Sequence, residues 1–195
     1  MSGSARVRSL VLLGALILGS GVMGCESQDA PGSSPRASAS GRPVVDETLV
    51  AFLSKARAAN HAADLALSKG DRGAALGHLR RLTEGGRPAL SPEVEEVLAD
   101  AHARVAEILS EEGDFAEAEK EIARGLAHAK QPTLFRANLF MARGVTQERR
   151  MKALSEAGDE TGASAARSAA LEAFDTAMDL QEKVIDDALR DEPAE

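Results

Sequence analysis

The chain has 195 residues, enough for one modest domain, with 23 Lys and Arg against 31 Asp and Glu and a formal charge of −8. It has one Cys, no Trp and no Tyr, which rules out an internal disulfide or a cysteine-clamped metal and argues against base-stacking surfaces. The acidic balance argues equally against nucleic acid and against an anionic lipid surface as partners.

Residues 1–24 read as a secretory signal peptide. Arg6 and Arg8 form a basic head, Leu10 to Leu18 (LVLLGALIL) is a short aliphatic run, and Gly19, Ser20, Gly21 and Gly24 supply small residues. The uncharged stretch from Ser9 to Gly24 falls short of the ~20 residues a membrane-crossing helix needs. Gly19 to Gly24 also spells G-x-G-x-x-G, but neither a strand before it nor an acid at the right distance after it supports a dinucleotide site. Val22-Met23-Gly24-Cys25 resembles the lipobox of bacterial lipoproteins. The resemblance implies cleavage between Gly24 and Cys25 and attachment of diacylglycerol to the Cys25 thiol. Two or three acyl chains, at about 0.8 kcal/mol per buried methylene, would anchor the protein without spanning the membrane. Loss of residues 1–24 removes two of the 23 basic residues and no acid, leaving 21 against 31 and a charge of −10.

Residues 25–43 follow as the lipidated cysteine and a disordered tether. Ten of the 18 residues from Glu26 to Pro43 are Ser, Gly or Pro, with nothing large and apolar to bury. Such a coil spans about 20 to 25 Å on average.

Residues 44–190 change to Ala, Leu, Glu and Arg in helical periodicity, with no strand-like alternation. Ser91-Pro92-Glu93 opens a helix whose Val94, Leu98, Ala101, Val105 and Ile108 form one apolar stripe. Gly113 ends it, and a second helix starts at once with Phe115, Ala118 and Ile122 on one face. That is an αα-hairpin. It recurs: Gly70-Asp71 precedes Ala75, Leu79 and Leu82, Gly113-Asp114 precedes Ala118, Ile122 and Gly125, and Gly158-Asp159 precedes Ala170, Phe174 and Ala177. Thr133 to Ala157 and Thr161 to Arg190 read as two long helices, and residues 191–195 as a flexible tail. All five Phe fall in this region and read as core.

This pattern resembles the tetratricopeptide repeat (TPR) family, most clearly in the middle copy: Val105, Ala106 and Leu109, then the glycine-acid turn, then Ala118, Ile122 and Gly125. The spacing departs from the family, since Ala75 to Ala118 is 43 residues and Ala118 to Ala170 is 52, against about 34. The resemblance implies an all-α fold of stacked antiparallel hairpins, a short α-solenoid with its first helices lining a concave face. In that register Asn60, Asp64, Asp100, Ala103, Glu107 and Glu111 are the candidate partner-binding residues, and Arg104 stands between Asp100 and Glu107 as a possible intrahelical partner for both.

No constellation supports catalysis. His61, His78, His102 and His128 stand singly, adjacent acids such as Glu111-Glu112 point in different directions on a helix, and neither a nucleophile elbow nor a Walker loop is present. The expectation is a non-enzymatic envelope lipoprotein without metal or cofactor, an adaptor or assembly factor for another envelope protein, with a basic segment as its preferred ligand. Glu26 after Cys25 resembles the outer-membrane sorting signal, which implies a periplasm-facing outer-membrane location. The alternative is a surface spacer, a helical bundle with no specific peptide ligand.

Overall fold

The computed structural model describes residues 46–191, so the expectations for residues 1–24 and 25–43, including Gly24 and Cys25, lie outside the described residues. Those described form six helices and no strand: α1 (Glu47–Ser68), α2 (Arg72–Thr83), α3 (Pro92–Glu111), α4 (Phe115–His128), α5 (Leu134–Glu156) and α6 (Glu160–Asp191). The last reaches one residue into the expected tail. None of the six is long and apolar enough to cross a membrane.

The three glycine-acid turns are one structure used three times. Gly70, Gly113 and Gly158 have φ of 75°, 84° and 80°, a left-handed conformation that costs a residue with a Cβ roughly 1 to 2 kcal/mol. In each, the glycine amide donates to the carbonyl three residues back, and the following Asp amide donates to the carbonyl five back, as in Asp71 to Ala66 (2.9 Å), Asp114 to Leu109 (3.0 Å) and Asp159 to Leu154 (2.9 Å). This is the Schellman closure, which satisfies the orphan carbonyls of the first helix. The same Asp then caps the next helix: Asp71 accepts from the Ala74 amide, Asp114 from Glu117 and Asp159 from Gly162. Three residues thus end one helix, reverse the chain and start another. The long α2–α3 connection instead ends on Ser91, whose hydroxyl accepts from the Val94 amide with Pro92 at the first helical position.

Between helices, contact follows chain order: α1 meets α2 and α3, α2 meets α3, α3 meets α4 and α5, α4 meets α5, and α6 meets α5 alone. The main core runs from Ala63 and Ala66 on α1, through Leu79, Ala106, Leu109, Ala118 and Ile122, to Leu139 and Ala142 on α5. A second cluster at the other end of the first three helices joins Phe52, Ala56, Leu82, Val94, Leu98 and Ala101. Small residues set the approach distances. Ala63, Ala75, Ala106 and Ala118 are fully buried, and a Cβ on Gly125 would overlap the Leu139 side chain. Of the five Phe only Phe52 is fully buried; the other four are half-buried at the margins of the helix contacts.

The third hairpin is offset from its sequence reading. Measured from the turn, Ala75 and Ala118 correspond to Ala163, Leu79 and Ile122 to Arg167, and the third position to Ala170. The Ala170, Phe174, Ala177 triplet lies two helical turns farther along, where the Phe174 ring fills the notch left by Gly144 on α5. Turn-to-turn spacing is therefore 43 and then 45 residues. Leu79 and Ile122 have no exposed surface because α3 and α5 pack over them, whereas no described helix follows α6 to cover its corresponding position, and Arg167 is solvated.

Candidate binding groove

The face shared by α1, α3 and α5 carries most of the candidate residues. Arg104 on α3 does not pair along its own helix. Its guanidinium reaches α1, donating to Asn60 Oδ1 at 2.7 Å and to the Asp64 carboxylate. From the other side, Arg149 on α5 donates to Ser110 Oγ (2.6 Å), to the Glu107 carbonyl (3.4 Å) and to Glu111 Oε1 (3.1 Å), while Arg72 lies 3.5 Å from the other Glu111 oxygen. These bidentate arginines tie the three helices together. Asn60, Asp64 and Glu111 are thereby engaged within the molecule. Ala103 is 5% exposed and belongs to the core, so it offers a partner no surface.

Asp100 and Glu107 remain. Among the described residues neither carboxylate has a hydrogen bond or an ion-pair partner within 4 Å. Desolvation by surrounding protein raises the pKa of Asp100 and is only partly offset by the Arg104 charge. The pKa of Glu107 is raised for the same reason, against the pull of Arg149 and Arg104. Glu107 is exposed by area, so it is crowded by protein yet reachable from solvent. Two such carboxylates on one face, seven residues and hence about 10 Å apart along the helix, favour a cation from outside.

A second polar site joins α3 to α4, and sequence reasoning missed it. His102 Nδ1 lies 2.6 Å from Glu121 Oε2, with both side chains almost fully buried. Arg124 donates to the other Glu121 oxygen, and the His128 ring stacks on His102 with centroids 5.7 Å apart. Burial alone would raise the Glu121 pKa, but His102 and Arg124 together hold it below the ordinary carboxylate value. Desolvation, with the His102 charge, lowers that of His128. The cavity beside them, about 400 Å³, is also lined by Thr83 and Glu84. No sequence signal could have exposed this pair, because its two members lie 19 residues apart on different helices. A larger recess of about 520 Å³ opens between the turn-proximal ends of α5 and α6, beside Met151, Lys152, Ala163 and Arg167. Among the described residues no group of three His, Cys, Asp or Glu is arranged to hold a metal ion.

No family model matches the chain, and no characterised protein or solved structure matches it either.

Proposed function

We propose that the protein is a lipid-anchored bacterial envelope lipoprotein, held at the outer membrane through Cys25, whose hairpins stack as a short TPR-like α-solenoid and whose α1/α3/α5 face takes a basic segment of a partner protein. The observation that carries the binding step is the pair of unpartnered, desolvated carboxylates, Asp100 and Glu107. Groups whose charge is disfavoured by the fold yet kept accessible are characteristic of sites that gain on binding. The solenoid reading is supported by chain-order contact between helices, the thrice-used turn, and the buried Ala106, Ala118 and Ile122 in the middle hairpin. Its turn spacing of 43 and 45 residues stays longer than the family's roughly 34.

A cationic side chain entering beside Asp100 or Glu107 gains a charge-assisted contact, which improves specificity and encounter rate more than affinity. The second reading, a spacer with no specific ligand, draws on the self-satisfaction of Asn60, Asp64 and Glu111, which Arg104, Arg149 and Arg72 already occupy. The two readings separate by crosslinking in the native membrane. Adaptor function predicts a discrete adduct that weakens at high salt and in Asp100→Lys/Glu107→Lys, with the fold verified by melting. A salt-insensitive adduct that both proteins form equally would contradict capture by the acidic pair, and the absence of any discrete adduct would leave the spacer reading standing.

A further inference from the structure

On α6, about a quarter-turn around the helix from the alanine row that packs on α5, Leu171, Met178 and Ile185 recur every seven residues and Leu189 follows one turn later. They are 58, 56, 57 and 65% exposed. These intervals put the four side chains on one stripe of the helix. The inward row, Ala163, Ala166, Ala170, Ala173 and Ala177, is the one that α5 covers, so the apolar stripe is a separate face with no partner among the described residues. α6 also outruns its support. Both helices leave the same tight turn, but α6 has 32 residues and α5 has 23, an overhang of about 13 Å at 1.5 Å per residue. Ile185 and Leu189 lie toward that unsupported end.

Beside the stripe runs a second one. Asp175, Asp179, Glu182 and Asp186 recur at steps of four, three and four, which aligns them along the flank of the apolar row. None of the four has an ion-pair partner among the described residues. The nearby cations Lys183 and Arg190 both turn to Asp187, at 3.4 and 2.9 Å. An apolar stripe alone leaves its occupant open; an uncompensated acidic flank selects one.

We propose that this apolar stripe of α6, with its acidic flank, is a second docking surface, which takes an amphipathic helix whose apolar stripe is flanked by Lys or Arg. The incoming helix would lay its apolar residues on Leu171, Met178, Ile185 and Leu189 and its cations against the acidic row, a helix-on-helix mode read by i, i+3, i+4 and i+7 anchors. A second copy of the chain packed antiparallel, α6 to α6, about a twofold axis would oppose acid with acid, a like-charge arrangement that disfavours association. The surface is distinct from the α1/α3/α5 face and does not depend on it.

The test uses the purified full chain and two synthetic 21-residue helices with the same leucine stripe, one flanked by Lys and the other by Glu. Each carries a photo-crosslinker, and binding is read by anisotropy and by mapping the crosslinks. The lysine helix should bind at least tenfold more tightly than the glutamate helix and crosslink to α6. Met178→Gln/Ile185→Gln should abolish the crosslinks to α6 and weaken the binding that they report at least tenfold, since both side chains are exposed and the helix survives their loss, whereas Glu160→Gln, exposed on the same helix outside the stripe, should leave them unchanged. Equal binding of the two helices overturns the proposal, as do crosslinks to α6 undiminished in the Met178/Ile185 variant. A concentration-dependent dimer abolished by Met178→Gln/Ile185→Gln would also overturn it, assigning the stripe to a second copy.

Discussion

Two groups of titrating residues pull the stability of this protein in opposite directions with pH. Asp100 and Glu107 have raised pKa values through desolvation, so their contribution is fully present below the unfolded carboxylate values near 4 and is lost as pH rises through the folded values. Asp100→Asn/Glu107→Gln should therefore stabilise the fold at pH 7, by on the order of 0.5 kcal/mol once solvent screening is allowed for. Thermal melts should show that gain shrinking toward pH 4; a lower melting temperature at pH 7 would show the carboxylates to be structurally engaged. For Glu121 and His128 the sign reverses. Both are lowered, so their contributions are present above the unfolded values, about 4.3 and 6.5, and are lost as pH falls through the folded ones. Glu121→Ala leaves the buried His102 ring without its acceptor and should cost about 1 to 3 kcal/mol in a denaturation curve. A cost below 0.5 kcal/mol would mean that water replaces the carboxylate there.

At the scale of elements the turns and the small-residue contacts decide the architecture. Gly113→Ala should destabilise by about 1 to 2 kcal/mol, because φ is +84°. Gly77→Ala, inside α2 with open space around its Cβ position, should stabilise by about 0.5 to 1 kcal/mol. Urea titrations of the pair test the turn directly, since two shifts of the same sign would contradict it. Ala118→Leu, at a fully buried site between α3 and α4, should overpack by about 1 to 3 kcal/mol. The turns were legible in the sequence because their chemistry is local: glycine supplies the left-handed residue and the next Asp supplies the cap. The third hairpin was read two turns too far along, and the reason is also physical. Alanines at 163, 166, 170, 173 and 177 satisfy a small-residue pattern in several registers, so only the distance from Gly158 selects the right one. On the α1/α3/α5 face, the positions of Asp100 and Glu107 came from the TPR resemblance together with the register set by Gly113. The fate of Arg104 could not be read in that way, since a partner 40 or 44 residues away leaves no trace in local spacing.

Across the whole molecule, charge is divided unevenly and the division matches the proposed roles. The middle hairpin and α6 concentrate the acids, while α5 carries Arg136, Arg143, Arg149, Arg150 and Lys152 against two glutamates. Of these, Arg143 and Arg149 meet acids within the fold, Glu119 and Glu111. Anchoring is a separate expectation: Cys25→Ser should abolish incorporation of labelled fatty acid and release the protein from the membrane fraction, and equal labelling of both proteins would contradict it. The central claim, that the α1/α3/α5 face captures a basic segment, is tested most directly by placing a photo-crosslinking residue at position 107 on that face and, in a separate protein, at position 77 on α2, then irradiating native membranes. The account predicts a discrete adduct from position 107, absent from position 77 and lost on Asp100→Lys. Equal adducts from both positions, or one from position 107 undiminished by Asp100→Lys, would contradict it.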